Sequence, residues 1–153
     1  MPQGENTVKK PIRLLATLLA LALLLVSLAG CTTIEDAEAE TLVFACLDAI
    51  GRGDYAAADD CFHPAARRDI AFLSCEEYAD QLMSRHRLDL SVGYTVVDVQ
   101  TYASAGIADA YYEYSFEGTV GGTCVAVTAV LYRDEEGFGL YELAVAPLRQ
   151  SSI

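Results

Sequence analysis

The sequence predicts an α+β fold in which three N-terminal helices pack on a four-stranded antiparallel sheet. Apolar residues recur every three or four positions up to residue 86, and from Ser91 onward they alternate with polar ones. All the helical segments precede all the strands, and this order is typical of an α+β domain. A length of 153 residues, with 53% hydrophobic and 21% charged side chains, fits one folded domain.

The first two helices form a predicted hairpin. The first spans about residues 38–50 and ends at a glycine pair, Gly51 and Gly53. Asp54 then serves as the N-cap of a short second helix that runs to Phe62. The apolar stripe of the first helix consists of Leu42, Val43, Cys46, Leu47 and Ile50.

The third helix begins at a capping box and the strands follow it. Residues 74–77, Ser-Cys-Glu-Glu, carry the reciprocal serine and glutamate of that motif, and the helix is predicted to reach His86. Residues 64–70 are expected to be a loop or a single turn, which makes His63 a loop residue. Residues 108–117 alternate strictly and predict a strand with one buried face. The other strands are expected at 92–102, 124–132 and 138–145.

The first thirty residues differ in kind from the rest. Lys9, Lys10 and Arg13 precede a nearly unbroken apolar stretch over residues 14–28. As a helix this stretch measures about 22 Å, which is shorter than the ~30 Å hydrocarbon core of a membrane, so a cleaved secretion signal is favoured over an uncleaved anchor. Residues 28–31, Leu-Ala-Gly-Cys, resemble the lipobox of bacterial lipoproteins. The resemblance implies that Cys31 becomes the lipid-modified N-terminus.

These observations divide the chain into four parts and place it in the cell. Residues 1–30 are the expected signal peptide, 31–39 an acidic tether, 40–146 the folded domain and 147–153 a tail. The predicted location is the extracytoplasmic face of the cell membrane, where the lipid on Cys31 contacts the bilayer.

Charge excludes several functions. The chain has 22 acidic and ten basic residues, a formal net charge of −12, and after residue 30 every cation is an arginine. Such a surface repels phosphate backbones, so no nucleic-acid partner is expected. Without a lysine in the mature chain, Schiff-base chemistry is also excluded.

The cysteines beyond Cys31 are expected to form two disulfides, because their number is even and the compartment is oxidising. The preferred pairs are Cys61 with Cys75, which lie 14 positions apart, and Cys46 with Cys124, which would join helix to sheet. A Cys46–Cys61 pair across the helical hairpin is the alternative. No metal site is expected, because the Cys61-Phe62-His63 spacing is not that of a zinc site.

One segment resembles a known superfamily. Residues 49–58, Ala-Ile-Gly-Arg-Gly-Asp-Tyr-Ala-Ala-Ala, are similar to the opening hairpin of nuclear-transport-factor-two-like domains, also called SnoaL-like or cystatin-like cone domains. The resemblance implies that a strongly curved sheet wraps the helices into a cone, whose mouth in some members holds a small molecule. Members include isomerases, dehydratases, binding modules and structural domains, so the fold alone does not select a function.

The candidate pocket residues are Tyr112 and Tyr114 on the apolar strand face, with Asp98 as a possible inward carboxylate. Aromatic residues at strand spacing are also ordinary core, and Asp98 also suits a solvated strand position. No catalytic motif, metal ligand set or cofactor motif is present. The leading hypothesis is a lipid-anchored binding or accessory domain for a small apolar ligand or an envelope protein. The alternatives are a structural envelope lipoprotein without a pocket and a small isomerase- or dehydratase-like enzyme.

Overall fold

A computed structural model of the chain describes residues 34–105 and 110–148. The predicted α+β class is confirmed, and the sheet is four-stranded and antiparallel with the strand order β1-β2-β3-β4. The predicted signal segment, the lipobox-like residues with Cys31, residues 106–109 and the end of the tail at 149–153 lie outside the described residues.

The helical half consists of short elements after one long helix. Helix α1 spans Asp36–Gly51, α2 Tyr55–Asp60, α3 Pro64–Arg67 and α4 Cys75–Gln81. A π-helical turn, Leu82–His86, continues α4, and a 3-10 turn, Leu90–Val92, leads into the sheet. The predicted caps are present, since Asp54 accepts a hydrogen bond from the Ala57 N–H and the Ser74–Glu77 capping box is complete.

The sheet is a meander whose turns fall at the predicted glycines. Its strands are β1 Tyr94–Ala105, β2 Ala110–Val120, β3 Thr123–Asp134 and β4 Gly137–Pro147. The register shifts between Val96 and Asp98 in the β1–β2 pair and between Val130 and Leu131 in the β3–β4 pair. Each shift inserts one residue and changes which side chains face the core.

The buried side chains of the helices and of the sheet belong to one apolar cluster. From α1 the cluster takes Ala39, Val43, Cys46, Leu47, Ala49 and Ile50, and from β3 it takes Val125, Val127, Ala129 and Leu131. The odd-numbered residues from Val125 to Leu131 are buried, while the even-numbered residues from Cys124 to Val130 are more exposed. The two faces of the sheet therefore differ as the sequence alternation predicts.

The segment that follows α2 covers the free edge of β4. Phe62 forms a parallel bridge with Leu140, the His63 N–H donates to the Leu140 carbonyl over 2.8 Å, and the Leu140 N–H donates to the Cys61 carbonyl over 2.9 Å. A Cβ atom added to Gly139 would lie 2.4 Å from the His63 nitrogen, so this close approach requires glycine. The pairing covers an edge strand that would otherwise expose backbone groups.

Within the described residues, none of the helices is both long and apolar enough to cross a bilayer.

Candidate functional site

Tyr112 and Tyr114 both lie on the buried face of β2, as predicted, but they are packed rather than open. Their exposed fractions are 2% and 1%. The Tyr112 hydroxyl donates a hydrogen bond to the carboxylate of Asp36, at the start of α1. The Tyr114 hydroxyl is buried and has no hydrogen-bond partner among the described residues. Burial, with the Glu40 carboxylate nearby, raises the pKa of Tyr114 to about 12, so its hydroxyl remains protonated.

A stripe of α1 faces these tyrosines. Asp36, Glu40, Phe44 and Asp48 are spaced four residues apart and so lie on one side of the helix. The Asp36 carboxylate accepts the Tyr112 hydroxyl, and the Asp48 carboxylate lies beside the hydroxyl of Tyr94. Burial, and then Asp48, raise the pKa of Tyr94. This side of α1 therefore places carboxylate acceptors next to the hydroxyl groups of Tyr112 and Tyr94.

Phe44 fills the space between α1 and the buried face of the sheet. Its ring centroid lies 5.7 Å from that of Tyr94, 6.0 Å from that of Tyr114 and 5.6 Å from that of Phe116. Two of the three contacts are edge-to-face, the arrangement that aromatic pairs favour. The side chains of the domain itself therefore fill the space between α1 and this part of the sheet.

Asp98 lies on the other side of the sheet. The shift after Val96 pairs Asp98 with Glu117, whose side chain is exposed, and leaves Val97 as the extra residue. Asp98 is itself exposed, so it does not share the buried face with Tyr94 and Val96. A one-residue bulge reverses the alternation from that point onward. The structure therefore does not bring Asp98 to Tyr112 and Tyr114.

A cleft of about 410 Å³ lies at the C-terminal end of α1. Its walls are apolar at Ile50, Leu88 and Leu90, and Arg52 and Asp80 supply charges of opposite sign. The backbone approaches closely here, since a Cβ on Gly51 would lie 2.8 Å from the Leu90 carbonyl oxygen. The volume falls within the roughly 300–1,000 Å³ range of small-molecule sites. The sequence analysis did not identify this cleft.

The four cysteines among the described residues are thiols, and three of them lie together. The thiol of buried Cys46 interacts with those of Cys61 and Cys75. Cys124 is exposed at the start of β3, on the face opposite the buried residues Val125 and Val127. The structure therefore does not bring Cys46 and Cys124 together. The disulfides themselves stay predictions.

His63 is fully buried and is not the plain loop residue that its neighbour Pro64 predicts. Its Nδ1 accepts a hydrogen bond from the Ala65 N–H over 3.1 Å, which makes it the N-cap of α3. Its Nε2 lies 2.9 Å from Oδ1 of Asp134. The imidazole thus connects the start of α3 to the end of β3.

The carboxylate of Asp134 is stabilised by its surroundings. Burial raises its pKa, but the Glu136 N–H and then His63 outweigh that effect, so the pKa is lowered overall. The pair acts as a structural connection, because its imidazole is completely covered.

The outer face of the sheet carries a second aromatic group, which we call the outer tyrosine cluster: Tyr111, Tyr132 and Tyr141. The ring centroids of Tyr111 and Tyr132 are 4.7 Å apart, and those of Tyr132 and Tyr141 are 5.9 Å apart. Tyr111 and Tyr141 are exposed large side chains. Alternation in residues 110–116 predicted Tyr111 on the wet face but did not reveal the cluster.

Comparisons with known proteins return nothing: no protein-family model, no curated protein and no solved structure matches the chain.

Proposed function

We propose that this chain is a lipid-anchored extracytoplasmic accessory domain that contributes a binding surface and carries out no reaction. The observation that supports the proposal is the filled space beneath the sheet, where Phe44 packs against Tyr94, Tyr114 and Phe116. Isomerase-like chemistry requires a carboxylate facing an open pocket beside a tyrosine. Asp98, the carboxylate expected there, is on the exposed side of the sheet.

The finer architecture belongs to this proposal. We take the helices to lie against one face of a curved sheet, as in the nuclear-transport-factor-two-like domains that residues 49–58 resemble. The hydrogen bond from Tyr112 to Asp36 supports this arrangement, as does the bond from the Val145 N–H to the Tyr78 hydroxyl over 2.7 Å. Residues 1–30 act as the signal peptide, and lipid on Cys31 holds the domain at the membrane.

The outer tyrosine cluster is the surface through which such a domain would contact an envelope protein. Tyrosine is enriched at protein interfaces because a large rigid ring carries a hydroxyl at its end. Tyr111 and Tyr141 are exposed on a sheet face that the apolar cluster leaves free.

An apolar fluorescent probe tests the filled interior. The wild-type protein is expected to bind no probe inside the domain, whereas Phe44→Ala opens a cavity and binds it. The same variant loses about 2–4 kcal/mol of unfolding free energy, below the usual cost of a fully buried phenylalanine because Phe44 is half-buried. Val97→Ala is the matched control, since its side chain is 72% exposed. Saturable binding of one probe by the wild-type protein would contradict the accessory role.

A small-ligand function is the second candidate, and the 410 Å³ cleft favours it. Its charged groups, Arg52 with Asp80 and Asp89, suit a zwitterionic or cationic amphipathic molecule with an apolar body. A thermal-shift screen of such molecules tests this candidate. A hit that raises the melting temperature of the wild-type protein, but not that of Arg52→Ala, would support ligand binding.

A further inference from the structure

Three cysteines from separate segments meet at one buried sulfur. Cys46 lies on α1, Cys61 directly follows α2 and Cys75 is the first residue of α4. We propose that they form a thiol–disulfide exchange site, in which Cys46 forms one disulfide at a time and alternates between Cys61 and Cys75. In the cell this site depends on the proposed extracytoplasmic location, which supplies disulfides as oxidants.

The backbone holds the three segments in place. The Cys75 N–H donates to Oδ1 of Asp59 over 2.8 Å, and the Cys61 carbonyl accepts from Leu140 over 2.9 Å. Cys46 Sγ lies 3.8 Å from the Ala58 carbonyl oxygen. Thiol hydrogen bonds of this kind are weak, so a side-chain rotation is enough to break them. The Cys46 thiol can therefore turn away from the Ala58 carbonyl and toward a neighbouring sulfur.

Access differs among the three sulfurs. Cys61 is partly exposed, whereas Cys46 and Cys75 are buried. The hydrogen bond from the Cys46 thiol lowers the pKa of Cys61. The hydrogen bonds that Cys46 shares with Cys61 and then with Cys75 raise the pKa of Cys46. Cys61 is thus the thiol that ionises first and is reached first from solvent, which makes it the nucleophile. Cys46 is the resolving thiol.

The exchange balances in three steps when a low-molecular-weight disulfide is the oxidant. The Cys61 thiolate attacks one sulfur of that disulfide, and the other sulfur leaves as a thiolate that takes up a proton. Cys46 then attacks Cys61 Sγ and its proton passes to the departing small thiolate, so that the second small thiol leaves and the Cys46–Cys61 disulfide forms. Two protein thiols are oxidised and one external disulfide is reduced.

The third step moves the bond within the protein. Cys75 attacks Cys46 Sγ and its proton passes to Cys61, so that the Cys46–Cys61 bond breaks and Cys61 leaves as a thiol. The products are a Cys46–Cys75 disulfide and a free Cys61, with no net change in oxidation state. Cys75 also lines a cleft of about 170 Å³ beside Phe62 and Phe72.

The test uses the full-length protein, extracted in detergent and equilibrated with reduced and oxidised glutathione. Thiols are then trapped with a maleimide, and peptides are mapped without reductant. The wild-type protein is expected to contain one intramolecular disulfide that includes Cys46 and one free thiol among the three. Cys75→Ser is expected to hold only Cys46–Cys61, and Cys61→Ser only Cys46–Cys75. Cys61→Ser should also oxidise about tenfold more slowly, because its remaining thiols are buried.

Cys46→Ala supplies the decisive outcome. Without the resolving thiol, Cys61 should accumulate as a mixed disulfide with glutathione. A Cys61–Cys75 disulfide formed at the wild-type yield, or three unmodified thiols in the wild-type protein while exposed Cys124 reacts, would overturn the proposal. Cys124→Ser is the matched control and should change neither pattern nor rate.

Two checks keep the result interpretable. Circular dichroism melts of each variant establish folding, and Cys46→Val is a second variant in case Cys46→Ala unfolds. The assay contains its own oxidant, so its outcome does not depend on where the protein resides. Conversely, failed lipidation of Cys31 would refute the proposed function and leave the exchange chemistry intact.

Discussion

The unpaired hydroxyl of Tyr114 gives the sharpest stability prediction. Tyr114→Phe removes a buried polar atom that has no partner among the described residues and leaves the ring in place. A buried unsatisfied group costs about 1–3 kcal/mol, so this variant should be more stable than the wild-type protein by about 1–2 kcal/mol. For a domain of this size the melting temperature should rise by about 4–8 °C.

Tyr112→Phe is the matched control, two residues along the same strand face. Its hydroxyl donates to Asp36, and a hydrogen bond to a charged group is worth about 1.5–3 kcal/mol. Asp36 is exposed and regains water when the donor is removed, so the expected loss is nearer 1 kcal/mol. The two Tyr→Phe changes should therefore shift stability in opposite directions.

Urea denaturation followed by far-UV circular dichroism measures both variants, because the chain has no tryptophan to report unfolding. If Tyr114→Phe destabilises the domain as much as Tyr112→Phe does, the Tyr114 hydroxyl has a partner and the argument from burial fails.

Two further perturbations test the contacts around His63. Gly139→Ala should cost at least about 2 kcal/mol, measured by urea denaturation, since its Cβ would clash with the His63 backbone; a change below about 0.5 kcal/mol would refute the close approach. Asp134→Asn tests the lowered pKa of Asp134. A carboxylate whose pKa is lower in the folded protein stabilises the fold above its unfolded pKa, which is near 4. That stabilisation is lost as the pH falls through the pKa of the folded protein. The difference in unfolding free energy between the wild-type protein and Asp134→Asn should therefore narrow between about pH 5 and pH 3. The control is Asp60→Asn, which breaks an exposed ion pair with Arg67 and should have little effect at any pH. A gap that stays constant would contradict the role of Asp134.

Local patterns were sufficient to predict the elements and the faces of the continuous strands. The alternation around Tyr112 and Tyr114 placed both rings inward, and the Ser74 capping box marked the start of α4 within one residue. Asp98 was harder, because the bulge after Val96 has no sequence signature and reverses the alternation.

Long-range contacts were beyond the same reasoning. From sequence, Cys61 was paired with Cys75, but the structure places Cys46 in contact with both. Which cysteines meet depends on how α1, α2 and α4 cross. Burial of His63 depends on Asp134, 71 positions away. One signal was present but not used: the four-residue spacing of Asp36, Glu40, Phe44 and Asp48 places them on one side of α1.

The mature N-terminus tests the central claim most directly. Peptide mass spectrometry of the membrane-extracted protein is expected to find an N-terminal peptide that begins at Cys31 and carries a diacylglyceryl group, because two or more acyl chains anchor a protein stably where one does not. Cys31→Ser should remain unprocessed and lose that lipid mass. A wild-type protein that retains residues 1–30, or a Cys31→Ser variant with the same size and the same detergent partitioning as the wild type, would contradict the lipid-anchored domain.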